Sequence, residues 1–596
     1  MSRARADRRR QQRQPGAGGP TRARAARPTW WLAVAAVALG AVVHLGALHG
    51  TFVYDDRMTV LGNPSIRDIA SPRALLLYDV FRPVVNFSYA VDHAIWGLDP
   101  FGYHLTNLLL HLVNVGLLFA VVLGLARRCQ LGRDDGADDL GPRVTATVAA
   151  VLLATHPLMT QAVAYVSGRS ELLATLFLLT AVSAFQRASR DGRVAWAVVG
   201  GVAFLLGVAS KETVAMLPLV LLAAEVLLPE KSPESRRRRL LQVHLPFVGL
   251  LLLAGLARLA VFLRLEGGDQ MLGLRQHLLT ESVVLWRYVG LLLAPVNQSI
   301  LHPVETAAGL ASPGVIPALL GLGVAGVGLA LLGRRLPLVV LGLVSFLLLL
   351  APSHLVPLQE AMAEHRLYTA ACGFFLAVGA LAGEFARRLE GRGRRALGAA
   401  LVAGVTAIAL LAAATVARTR VWADEVVLWA DAAVKAPRTW AAQYAHADAL
   451  RMAGRCDEAI PVYRRAVELE PGQTAARLNL GICLAEIGLA DDARRAFEEV
   501  RRLDPSDPQP AVNLGALAAR IGDFAAARGH LLDAIRLDPG AVAPRMMLAQ
   551  LAEAAFGDAR TALALCEEVA RLEPTTPGVE ECLRRNRKAL TMLSSR

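Results

Sequence analysis

Apolar runs of about twenty residues, the length that crosses a bilayer core, alternate with short arginine-bearing segments over the first two-thirds of the chain. After Trp422 the pattern changes to Ala, Leu, Arg, Asp and Glu at helical spacing. Each long run predicts a membrane helix, because a backbone inside hydrocarbon must satisfy its own hydrogen bonds. The runs lie near 30–49, 104–126, 144–163, 170–187, 194–210, 212–229, 243–263, 312–333, 336–352, 367–386 and 396–417, which makes eleven spans. A further apolar piece, 277–295, holds Glu281 and Arg287. Counting it as a span places Arg334, Arg335 and the five arginines from Arg387 to Arg395 outside. Leaving it in the interface places both groups inside, together with Arg127, Arg128, Arg187, Arg190, Arg193, Lys231 and Arg236–Arg239, as the positive-inside rule requires. The N-terminus is then inside and the C-terminus outside.

Beyond the spans, Pro437, Pro471, Pro505 and Pro539 recur every 34 residues, as do Gly454, Gly488 and Gly522. Leu480, Gly481, Ala493, Phe497 and Pro505 fit the tetratricopeptide pattern, in which small residues sit where two helices cross. A fourth, looser repeat runs to Pro574. The predicted fold class is all-α: a polytopic membrane domain (29–420), a linker (421–437), a tetratricopeptide solenoid (438–575) and a C-terminal cap (576–596). Two uses of the solenoid stay open, a concave peptide-binding groove and a lid or assembly platform.

Composition sharpens this picture. The chain is 54% hydrophobic with a mean hydropathy of +0.42. Its net charge of +13 sits between spans and in residues 1–28, which carry nine arginines against Asp7. That distribution fits topology signals and a disordered cytoplasmic tail and excludes a nucleic-acid surface. The six cysteines show no CxxC pair, so neither a thiolate metal site nor a structural disulfide is expected. HExxH, GxSxG and Walker-type sequences are absent, so protease, hydrolase and nucleotide-driven pump readings lack their parts.

The polar residues that are not topology signals fall on one side of the predicted membrane. Asp55 and Asp56 follow the first span. Successive side chains point in different directions, so one of the two serves as base while the other orients it or holds a metal. Arg82, Arg169, Lys211 and Arg366 offer cations from four separate segments, a set suited to a departing phosphate. His156, Glu171, Glu212, Glu364 and His365 are candidate supporting residues. A divalent metal, Mg or Mn, is left open.

FVYDD (52–56), NPSIRD (63–68), FRPVVNFSYAVDHAIWGLDPFGYHLTNLLLHLVN (81–114), HPLMTQAVAYVSGRSELLATLFLL (156–179), SKE (210–212) and AEHRLYTA (363–370) resemble, in order, the motifs of the transmembrane and tetratricopeptide repeat-containing protein family. The resemblance covers roughly residues 30 to 574. It implies a membrane O-mannosyltransferase of class C glycosyltransferase architecture that uses dolichyl-phosphate mannose on the lumenal side, with Asp55 and Asp56 in the acidic motif of the first outer loop. Arg82, His156, Arg169, Glu171, Lys211, Glu212 and Arg366 match other motif positions. The chain departs from the pattern at Gln161, where Glu is common, and in having about four repeats.

An Ala-, Arg- and Gly-rich composition suggests a high-GC bacterium. There the donor is expected to be a polyprenyl-phosphate sugar, the membrane the inner membrane and the outer face the periplasm. The expected partners are that donor, the lipid bilayer and a protein acceptor held in the solenoid groove. The alternatives are transfer to a glycan or lipid, or a non-catalytic scaffold presenting repeats to partners.

Overall fold

In the computed structural model, the described residues are 29–130, 139–229, 273–355, 360–390 and 392–594, with scattered positions between 234 and 257. The basic tail 1–28, Lys231, Arg236, Arg238, Arg239 and most of the expected span 243–263 lie outside them. Among the described residues every regular element is helical, so the protein is all-α.

Among the described residues, seven helices are long and apolar enough to cross a membrane. An eighth span forms if Leu140–Thr155 and Pro157–Ala164, bent by 55°, count as one. The bend follows from Pro157, which has no N–H to continue the helix, and His156 caps the break by accepting from Leu158 N at 3.3 Å. Two expected spans are shorter than read. Residues 194–210 give the fifteen-residue helix Val194–Val208, and 212–229 give the single turn Glu212–Met216 leading into Leu217–Leu227. The break between them lies at Lys211, whose ammonium turns inward to Glu171. Leu274–Leu293, the piece read as interfacial, is one helix that buries His277 and Glu281.

The centre of the membrane half is the segment Glu364–Glu390, 72% of whose apolar window is buried. Small residues let its neighbours approach, as membrane helices need when lipid is as apolar as they are. A Cβ on Gly373 would stand 2.7 Å from Gly342 O, and one on Gly379 would stand 2.4 Å from Thr145 O. Val315–Leu332 and Arg394–Val421 bury only 11% and 6% of their apolar windows against protein. Apolar surface on that scale is tolerable only in lipid, which makes this a multi-pass membrane protein.

The repeat half stacks four helix pairs, from Trp440–Met452 with Cys456–Leu469 to Ala543–Ala554 with Ala559–Leu572, and Val579–Ser594 closes the stack. Gly454, Gly488 and Gly522 have φ of 73°, 86° and 84°, so the 34-residue glycine period is a period of left-handed helix ends. The interval read as a linker is different: it contains the helix Glu425–Lys435, which packs on the first repeat and leads the stack. The cysteine expectation is also corrected. Cys456 bonds to Cys483 and Cys566 to Cys582, with Cα–Cα distances of 5.0 and 6.2 Å. Helix packing brings together cysteines that no short spacing pairs.

Candidate functional site

The loop after the first span is built from its own polar residues. Asn63 accepts from Ser65 N (3.0 Å) and donates to Asn86 Oδ1 (2.8 Å), while Asn86 donates to Leu75 O (2.8 Å). The stretch 63–86 is thereby folded onto helix Pro83–Trp96. Against it lies a cavity of about 110 Å³ whose lining includes Asp55, Arg82, Tyr165, Ser167 and His365.

The two adjacent carboxylates have different surroundings. Asp55 is exposed and faces the cavity. Asp56 is fully buried. Its Oδ1 accepts from Ser167 N (2.8 Å) and Ser167 Oγ (2.6 Å), and its Oδ2 accepts from Val53 N (3.1 Å). Burial pushes the Asp56 carboxyl up to about 7, against the pull of these donors. Ser167 Oγ is also 2.7 Å from Thr59 Oγ1, which donates to Asp55 O at 3.0 Å. Reversing the hydroxyl directions along this chain lets Ser167 donate to a carboxylate or accept from a neutral acid, so either protonation state is satisfied.

Tyr54, just before Asp55, has φ of 53°. A left-handed backbone costs a non-glycine residue roughly 1–2 kcal/mol. The Tyr54 hydroxyl donates to Glu360 Oε1 at 2.6 Å, and its ring meets Trp429 edge-on with centroids 5.5 Å apart. A hydrogen bond to a charged group contributes about 1.5–3 kcal/mol and an aromatic pair about 0.5–1.5 kcal/mol, enough to hold the strained turn.

The four expected cations separate into two kinds. Arg82 lines the cavity, and its guanidinium has no hydrogen-bond or ion-pair partner among the described residues. Arg366 is partly buried and donates to Glu360 O at 2.7 Å. Arg169 is fully buried: it pairs with Asp92 Oδ2 at 2.5 Å and donates to Asn107 Oδ1 (2.8 Å) and Tyr103 O (2.9 Å). Lys211 is buried on Glu171 at 2.7 Å, and the other Glu171 oxygen accepts from Thr369 at 2.7 Å. Arg169 and Lys211 are therefore members of buried ion pairs: every guanidinium nitrogen of Arg169 has a protein acceptor, and the Lys211 ammonium is held by Glu171.

The supporting residues divide in the same way. His156 is buried at the helix break, with Nε2 3.1 Å from Leu292 O. Glu364 accepts from Ser299 N (2.7 Å) and lies 2.8 Å from His302 Nε2. Glu212 is half-buried in the turn after Lys211. His365 does reach the cavity, and its backbone N–H donates to Gln161 Oε1 at 2.8 Å. The Tyr165 hydroxyl lies beside Asp55 and Ser167, while His365 Nδ1 is buried without a hydrogen-bond partner. Buried polar atoms are normally bonded, so His365 is an exception in the wall of this cavity. The sequence reading passed over Tyr165, Ser167 and Asp92, although all three lie inside the quoted motifs. Among the described residues no three His, Cys, Asp or Glu side chains converge as a metal site.

Two family models match the chain: dolichyl-phosphate-mannose-protein mannosyltransferase over residues 137–261 and tetratricopeptide repeat over residues 444–508. The chain is 32% identical over 164 residues to the protein O-mannosyl-transferase Tmtc1 of Drosophila melanogaster, covering 25% of this chain and 17% of that one. It is 31% identical over 158 residues to human protein O-mannosyl-transferase TMTC2, covering 24% and 17%. The match thus spans about a sixth of the length of these relatives. Among solved structures, MamA matches with 21% identity and a TM-score of 0.24, over 27% of this chain and 86% of that one. YrrB, titled a tetratricopeptide repeat protein with an unusual peptide-binding site, matches with 20% identity and a TM-score of 0.23, over 28% and 89%. The resemblance read from the ordered motifs is the one these matches bear out.

Proposed function

We propose that this protein is an integral-membrane glycosyltransferase that moves a sugar, mannose by resemblance, from a polyprenyl-phosphate carrier to a Ser or Thr hydroxyl of an extracytoplasmic protein. The observation that carries the reading is the cavity in which an exposed carboxylate, Asp55, and an unpaired guanidinium, Arg82, are brought together beside His365, whose buried Nδ1 has no hydrogen-bond partner. Asp55 takes the proton of the acceptor hydroxyl as its oxygen attacks the anomeric carbon. The bond from that carbon to the phosphate oxygen breaks, its electron pair leaves on the phosphate, and Arg82 stabilises the charge that develops there. Asp56, held by Ser167, fixes the loop and leaves the proton transfer to its neighbour. Arg169 and Lys211 act behind the site by holding its walls. The reaction needs no nucleotide, since the carrier keeps its phosphate.

The two disulfides support an outward-facing repeat half, because such bonds persist in oxidising compartments such as the periplasm. The test is transfer by the purified protein in vesicles, from polyprenyl-phosphate mannose to a secreted protein acceptor, read by intact mass. The parent is expected to add sugar to Ser or Thr, and Asp55→Asn to lose roughly 10²–10⁴-fold in turnover. Equal rates for the two would remove Asp55 as the base, and no transfer by the parent would favour the scaffold reading. Sugar found only on lipid or glycan would redirect the acceptor.

A further inference from the structure

We infer that the helix Glu425–Lys435, at the entrance to the repeats, is a positioning element for the acidic loop, and that Glu425 is its positioning residue. The inference rests on the reading of Asp55 as the base. Glu425 touches the chain on both sides of that residue. Its Oε1 accepts from Tyr54 N at 3.4 Å, and its Oε2 forms an ion pair with Arg57. Trp429, one helical turn further on, meets the Tyr54 ring edge-on. The left-handed turn that presents Asp55 is thus braced by a helix that lies between the two halves, its buried face against Val53, Tyr165 and Trp422 and against Ala449 of the first repeat.

That helix is capped at its start and tied to the last span. Asp424 accepts from Val426 N (2.9 Å) and Val427 N (3.1 Å), and Asp431 pairs with Arg418 at 2.7 Å at the end of the last span. Leu428, Trp429 and Ala432 are buried, and the helix packs directly on Trp440–Met452 of the first repeat. The acidic loop therefore has one edge set by the membrane half, through Asp56 and Ser167, and one set by this intervening helix, through Tyr54 and Arg57. Asp55 lies between them. A shift of the first repeat on acceptor seating is delivered to the carboxylate through Glu425, so the chemical step is coupled to occupancy of the solenoid.

The full-length protein in vesicles tests this. Glu425→Arg sets two like charges against each other at Arg57, and adding Arg57→Glu restores an opposite pair. The single variant is expected to lower kcat by about 10–100-fold, the scale of an ångström-sized misplacement, with the donor KM unchanged and the melting temperature of the membrane half unmoved. The charge-swapped double should recover most of kcat. Hydrogen exchange over residues 52–62 should rise in the single variant and fall again in the double. Parent kcat in Glu425→Arg, or a loss that the double does not recover, overturns the inference. If the parent itself transfers no sugar while exchange still follows the charge pairing, the transferase reading fails and the coupling of loop to helix stands.

Discussion

In the repeat half, large side chains meet small ones close by in sequence: Phe497 rests on Gly481 and Leu531 on Gly515, the same relation one repeat later. Around Asp55 the partners are remote. Tyr54 reaches Glu360 across 306 residues and Arg57 reaches Glu425 across 368. A stack of near-identical local contacts contains damage within a repeat and its neighbours. A site assembled from distant segments transmits it, since each segment fixes only part of one geometry. The two halves should therefore fail differently.

The largest separation is expected from the Asp92–Arg169 pair. Asp92→Asn leaves a buried guanidinium short of its counter-charge, which typically destabilises by about 3–5 kcal/mol. Calorimetry should show a lower transition for the membrane half, with the repeat transition in place. Arg82→Ala tests the opposite combination. Its guanidinium has no hydrogen-bond or ion-pair partner among the described residues, so both transitions should stay put while transfer falls roughly 10²–10³-fold, the scale seen for removal of one charge-stabilising donor.

Reducing the disulfides inverts the comparison. Cys456–Cys483 and Cys566–Cys582 close intervals of 27 and 16 residues. Loop closure on this scale contributes about 3 kcal/mol each in the chain-entropy account. Reductant should lower the repeat transition and leave transfer to a short acceptor peptide near the parent rate. Activity loss in step with the repeat transition would instead strengthen the coupling through Glu425.

A pH slope is expected at Asp56. Its carboxyl is raised from 3.8 to about 7 in the folded loop, so the folded state binds the proton more tightly than the unfolded one. The resulting stabilisation is complete below about 4 and is lost as pH rises through about 7. Hydrogen exchange over residues 52–62, corrected for intrinsic rate, should show that slope. Asp56→Asn should flatten it at a cost of about 1 kcal/mol for the lost Val53 bond.

Much was determined by the sequence alone. The all-α class, most spans and four repeats with their periodic glycines all follow from short-range patterns. Hydrophobic length and adjacent like charges are written within windows shorter than one repeat, and the 34-residue period within two or three, and local backbone physics turns them directly into structure. Only the tertiary structure decided the rest. Asp55 faces the cavity while Asp56 is enclosed by Ser167, and Arg82 stays open while Arg169 and Lys211 are taken by Asp92 and Glu171. The interval read as a linker became the helix that grips the acidic loop, and cysteines without a short spacing came to be bonded in two pairs. Whether an ionic side chain is available for chemistry depends on whether another segment has already supplied its partner, and in this protein those partners lie from tens to hundreds of residues away.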